Sequence, residues 1–275
     1  MRGDAVYQPE RGHAGLSAPA AVRVGTAGWS IPTATAAAFP DLGSHLHRYS
    51  RVFAAVEINS SFHRPHRTET YRRWADATPP AFRFAVKLPK TITHTRRLID
   101  VREPLAVFLE EASGLGDKLA VLLVQLPPSL VFEPATASAF FTMLQDMTAA
   151  AIACEPRHPS WFDAAADACL TAHRIARVAA DPVLAPGADR PGGWSGLRYH
   201  RLHGAPRIYY SAYEETALDR LADRISGTGA AEQWVMFDNT ASGAATADAL
   251  SLRSKLARRG QLPVGEADTQ SQEQP

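Results

Sequence analysis

The chain has almost no cysteine. Cys154 and Cys169 are its two thiols across 275 residues, and no C-x-x-C pair occurs. That excludes a disulfide framework and points to a reducing compartment, here expected to be the cytoplasm. Long apolar runs are missing too. No stretch of about 18 apolar residues is present, so no membrane span is expected. Residues 1–21 carry Asp4 and Glu10 with scattered Gly and Pro but no apolar core, which excludes a signal peptide and suggests a disordered leader. Charge of one sign is also lacking. A net charge of +1 and a pI near 7.9 give no global nucleic-acid or membrane signature. Motifs of the G-x-S-x-G, phosphate-loop and H-E-x-x-H kinds are absent. His63-Arg-Pro-His66 holds a His pair, but Pro65 places it in a loop unsuited to ligation. The Gln-, Glu-, Asp- and Ser-containing end reads as a solvated tail, giving expected boundaries of 1–21 leader, 22–260 folded domain and 261–275 tail.

What is present is alternation. Eight short apolar runs occur at 22–28, 54–59, 83–89, 120–127, 151–158, 177–182, 197–204 and 233–239. Each is bounded by Gly, Pro or Asn, the strand signature. Helical patterns fall between them at 67–77, 103–115, 136–149, 160–173, 213–225 and 244–258. The 183–196 interval is rich in Gly and Pro, so a loop is expected there in place of a sixth helix. Eight such units predict an α/β fold, a single (β/α)8 TIM-type barrel, with an open doubly wound sheet as the alternative.

Strand side chains alternate between the barrel interior and the helix layer. Val56 and Ile58 belong under helices, which turns Glu57 and Asn59 inward. The same rule turns Lys87, Gln125, Glu155, Arg157, Asp181, Arg201 and His203 inward, near the C-terminal ends of their strands. In the last strand, either Asp238 or Asn239 faces in. So many polar groups converging on one mouth must satisfy each other, water or a ligand. The mouth is the expected site; a hydrated ion-pair plug is the alternative.

The same residues carry a family resemblance. Val24-Gly-Thr-Ala-Gly-Trp29, Val56-Glu-Ile-Asn-Ser60, Phe82-Arg-Phe-Ala-Val-Lys87, Gln125-Leu-Pro-Pro128, Glu155-Pro-Arg-His-Pro-Ser-Trp-Phe162, Arg201-Leu-His-Gly204 and Asp238-Asn-Thr-Ala-Ser-Gly243 resemble, in order, the YecE-like family of unknown function. The resemblance runs from about Val22 to Leu256 and implies a barrel of the (β/α)8 type. It assigns no activity. Two departures stand out: Pro156 where the family usually has Phe, and Asp238 where it usually has Asn.

Three chemistries fit this mouth. Glu155, Asp181, His203 and Asp238 are candidate ligands for a divalent metal (Mn, Mg or Zn), in competition with Arg157 and Arg201 as ion-pair partners. Lys87, Lys90, His94, Arg96, Arg97, Arg157, His158 and Arg201 are candidates for an anion or a nucleic-acid backbone, with Trp29, Phe62, Trp161, Tyr209 and Tyr210 available to stack on a base or sugar. Glu57, Lys87, Glu155, Asp181 and His203 suit acid–base catalysis, with Lys87 also open to Schiff-base chemistry. Asn59, His94, Gln125, Arg157, His158, Arg201 and Asn239 are the expected ligand contacts. The expected function is an enzyme, hydrolase- or isomerase-like, acting on a phosphorylated or polyhydroxylated substrate. A non-catalytic module for nucleic acid or an anionic metabolite is the alternative.

Overall fold

Strand β1 (Val22–Thr26) opens the fold in the computed structural model, which describes residues 22–227 and 232–262. The expected leader, and the tail from residue 263 onward, lie outside the described residues. The strands β2 (Ala55–Ile58), β3 (Arg83–Lys87), β4 (Leu119–Gln125) and β5 (Ala151–Glu155) follow, each near its expected place. Then come β6 (Ile175–Arg177), β7 (Ala179–Asp181), β8 (Gly192–Gly193), β9 (Leu197–Leu202) and β10 (Glu232–Phe237).

These strands form a four-stranded sheet, ordered β1-β10-β9-β7, and a six-stranded sheet, ordered β2-β3-β4-β5-β6-β8. Every pairing is parallel except β6 with β8. The sheets adjoin at two places. Ala27 bridges Glu57 in parallel fashion, with Gly28 N donating to Glu57 O at 2.8 Å. Only Val178 separates β6 from β7. The fold is therefore α/β with parallel-rich sheets.

Seven α-helices are found among the described residues: α1 (His45–Ser50), α2 (Thr68–Asp76), α3 (Arg102–Ala112), α4 (Pro134–Met147), α5 (Ala164–Ala172), α6 (Glu215–Ser226) and α7 (Ala244–Arg258). Their starts follow from local chemistry. Glu133 caps α4, accepting from Thr136 N at 2.7 Å, and Pro134 sits at the first helical position where no N–H is needed. Asp163 caps α5 through Ala166 N at 2.8 Å. Helix α1 was not expected, because His45–Ser50 is a short segment with little periodicity. The expected gap in the sixth crossover is present: 183–196 holds β8 and no helix.

Two apolar layers separate along the strands. Val56, Ile58, Phe84, Val86, Leu122 and Val124 belong to the large cluster beneath the helices. Ala55, Ala85, Val121, Leu123, Ala153, Tyr199, Trp234 and Met236 form a second cluster on the opposite face. The parity rule thus holds for β2 to β5, β9 and β10. At β6 and β7 the alternation runs in the opposite phase. Ala176 and Val178 lie in the inner cluster, and Ile175 in the outer one. The physical reason is the absent helix. A loop covers the outer face here, so polar Arg177 faces it, donating to Gly187 O at 3.1 Å, and the apolar residues turn inward. No helix among the described residues is long and apolar enough to cross a membrane.

Candidate functional site

Arg201, in β9, is fully buried, and everything around it follows from that. A guanidinium cannot lose its charge, so burial demands counter-charge. Glu57 from β2 supplies a bidentate partner: Arg201 Nε donates to Oε2 at 3.0 Å and Nη2 to Oε1 at 2.6 Å. Glu155, at the end of β5, accepts from Nη1 at 2.5 Å. Asp238, just past β10, accepts from Nη2 at 2.9 Å. Tyr199 sits two residues before Arg201 on the same face, and its hydroxyl donates to Glu57 Oε2 at 2.8 Å.

His203, two residues beyond Arg201, completes the floor. Its Nδ1 lies 3.1 Å from Asp238 Oδ2, and its Nε2 lies 3.0 Å from Glu155 Oε1 and 2.9 Å from Arg157 Nη2. Arg157 also pairs with Glu155. The Tyr209 ring meets the His203 ring edge-on at 5.8 Å.

Electrostatics follow this geometry. Burial alone would raise the Glu155 carboxyl, but Arg201, Arg157 and His203 outweigh it and hold the group well below the usual carboxylate range. Asp238 is lowered in the same way, burial being overcome by Arg201 and His203. Lys87 moves oppositely. Burial and the neighbouring Arg201 bring its ammonium down to about 8, against the pull of Glu57, Glu155 and Asp238. Its Nζ sits 4.1 Å from the centre of the Phe62 ring. His94 packs edge-on against the same ring at 5.0 Å. Its imidazole is lowered by burial and by Lys87, Lys90 and Arg157.

Among the polar atoms at this end that are buried with no hydrogen-bond partner are Asn59 Oδ1, Gln125 Oε1 and Arg157 Nε. Asn59 does donate from Nδ2 to Asp238 Oδ1 at 3.2 Å. It also lines a cavity of about 250 Å³ together with Gly28, Trp29, Ser30 and His45.

The mouth therefore gathers Glu57, Asn59, Lys87, Gln125, Glu155, Arg157, Arg201, His203 and Asp238. Three expected members lie elsewhere. Asp181 accepts a 2.6 Å bond from the Tyr213 hydroxyl, in the outer layer, because the parity of its strand is reversed. Asn239 faces out as well and donates to Asp248 Oδ2 at 2.6 Å. His158 turns onto its own loop, where Nδ1 accepts from Ser160 N at 3.2 Å and starts the turn Pro159–Phe162. Trp161 is core, its indole donating to Leu130 O. Arg96 bonds Asp100 O within the β3–α3 loop, and Arg97 crosses to Ser129 O in the β4–α4 loop.

The expected metal group is consequently not assembled. Asp181 is absent from it, and Arg201 takes oxygens of both Glu155 and Asp238. Among the described residues no set of three or more His, Cys, Asp or Glu side chains is disposed to hold a metal ion. Two contributors were missed: Tyr199, which the parity rule already put on the inner face, and the Phe62 ring as a seat for Lys87.

Fold and mouth together define a class, the parallel-rich α/β proteins that gather charged side chains at strand C-terminal ends. Crystal structures of other proteins share the fold. A DUF72 family protein from Enterococcus faecalis matches with a TM-score of 0.71 and 20% identity, covering 86% of this chain and 95% of that one. A DUF72 family protein from Thermotoga maritima matches with a TM-score of 0.69 and 24% identity, covering 86% and 99%. The chain belongs to DUF72, a family of proteins of unknown function, which it matches over residues 23–274. UPF0759 protein YecE of Escherichia coli is 29% identical over 143 residues, 51% of this chain and 50% of that protein. The chain thus spans about half the length of the curated relative it matches.

Proposed function

We propose that this protein is an enzyme, hydrolase- or isomerase-like, acting on a small polyhydroxylated anion such as a sugar phosphate or sugar acid. In this reading the two sheets close into one (β/α)8 barrel through the Ala27–Glu57 bridge and the single-residue step at Val178. The substrate enters at the C-terminal mouth.

The observation that carries the proposal is the set of unsatisfied groups. Buried polar atoms are nearly always paired, so an orphaned group at the mouth is open to a ligand's polar atoms. Asn59 Oδ1 and Gln125 Oε1 are acceptors, which a substrate's hydroxyls would satisfy. Arg157 Nε is a donor, which a substrate's oxyanion would satisfy. Acceptors and a cationic donor at the same end of the strands fit a ligand bearing both hydroxyls and negative charge. Beneath them, His203 between Glu155 and Asp238 is the proton carrier, and Arg201 fixes those carboxylates in place. A nucleic-acid module is less well supported, since Arg96 is engaged with Asp100 O and Arg97 with Ser129 O.

Calorimetric titration with a panel of aldose phosphates, ketose phosphates and sugar acids tests the reading. At least one should bind, with affinity reduced about tenfold or more by Arg157→Met. No binding across the panel, or steeply salt-dependent binding of duplex DNA in its place, overturns it.

A further inference from the structure

Among 29 basic residues only four are lysines: Lys87, Lys90, Lys118 and Lys255. Their surroundings differ sharply. Lys118 donates to Ala75 O, Thr78 O and Thr78 Oγ1 at 2.6 to 3.1 Å. Lys255 pairs with Glu215 at 2.8 Å and Asp219 at 2.9 Å. Lys90 is exposed. Lys87 is 8% exposed, and among the described residues its ammonium makes no hydrogen bond and no ion pair. It rests on the Phe62 ring.

This is an unusual place for a fixed charge. Three carboxylates lie in the same mouth, yet Arg201 takes all three. A site needing only positive charge is served by arginine, which this chain uses almost everywhere else. Lysine differs in one decisive respect: it can give up its proton and become a nucleophile. An amine that is buried beside Arg201 and bonded to no carboxylate meets that condition, while the Phe62 ring holds it in place.

We propose that Lys87 is a catalytic nucleophile that forms a Schiff base with the carbonyl of an aldehyde- or ketone-bearing hydroxylated anion. The inference rests on the proposed small-anion site and names the reactive group of its substrate. The neutral Nζ attacks the carbonyl carbon, forming a C–N bond while the C=O π pair moves to oxygen. That oxygen takes two protons in turn, one given up by the nitrogen and one from solvent, and the C–O bond then breaks with release of water. The product is a protonated imine; nothing is oxidised or reduced. Arg157 is placed to hold the anionic end, and Asn59 and Gln125 the hydroxyls. Lowering of the amine to about 8 by burial and Arg201 supports the same role.

The test uses dihydroxyacetone phosphate and D-glyceraldehyde 3-phosphate as probes, with sodium cyanoborohydride to reduce any imine. Intact mass and peptide mapping of the full chain should show one adduct, at Lys87. Lys87→Arg, which keeps the charge, should lose the adduct while still binding the probe in calorimetry. Labelling should also rise with pH through about 8 and then level off, with Arg201, Glu57, Glu155, Asp238 and His94 as the ionisable groups facing the amine. Probe binding without an adduct, or labelling spread equally over Lys90 and the chain's amino end, overturns the covalent role and leaves the anion site standing. Neither binding nor labelling overturns both.

Discussion

Replacing Arg201 with methionine removes the hub of the mouth at nearly constant volume. The guanidinium makes four side-chain hydrogen bonds of 2.5 to 3.0 Å to Glu57, Glu155 and Asp238, with no exposure to water. Taking one partner from a buried ionic network costs about 3–5 kcal/mol, because the remaining charges stay desolvated. For a domain of this size that corresponds to a fall in Tm of roughly 10 °C. The pH dependence adds a second signature. Glu155 and Asp238 are depressed in the native protein, so their stabilisation is present above their ordinary values of 4.5 and 3.8 and is lost as pH falls through the native ones. Without Arg201, the burial that opposed this depression dominates, and acidification relieves the variant by neutralising its stranded carboxylates. Urea unfolding at about pH 7 and about pH 4 should therefore show a large stability gap that narrows in acid. A gap under about 1 kcal/mol at neutral pH, or one unchanged by acid, refutes the reasoning.

Other predictions follow from single contacts. Gly25→Ala would place a methyl 2.2 Å from Ala55 O, so β1 and β2 must part, costing about 1–3 kcal/mol in chemical unfolding; an unchanged midpoint contradicts this. His200 is held down to about 4 by burial and by Arg224 and Arg198. Its unfolded value is 6.5, so stability should decline by up to about 1.4 kcal/mol per pH unit between 6.5 and 4, and His200→Gln should flatten that limb. Asp181→Ala should lose about 1–3 kcal/mol with the Tyr213 bond, while calorimetry finds ligand affinity unchanged. A loss of binding would return Asp181 to the site.

The sequence made the strand positions legible because each crossover helix forces apolar residues onto one strand face. Glu57, Lys87, Glu155 and Arg201 emerged from that alternation. Where the helix is missing, the two faces exchange: Val178 turns inward, and Asp181 goes with the outer layer. At β10 the pattern cannot decide, since Asp238 and Asn239 are both polar; the inward Met236 settles it for Asp238. The dominance of Arg201 was not legible either. Periodicity says which residues face one space, but not which of them the charges converge upon. Helix α1 is too short to declare itself, and the Phe62 seat depends on a loop bringing a ring over the end of β3.

The most direct test of the central claim is a crystal structure of the protein soaked with the tightest-binding sugar phosphate or sugar acid. The account predicts the anionic group against Arg157 and hydroxyls within hydrogen-bonding distance of Asn59 Oδ1 and Gln125 Oε1, above an undisturbed Arg201 network. Ligand density away from the mouth, or at the mouth with those three atoms still unpaired, would contradict it.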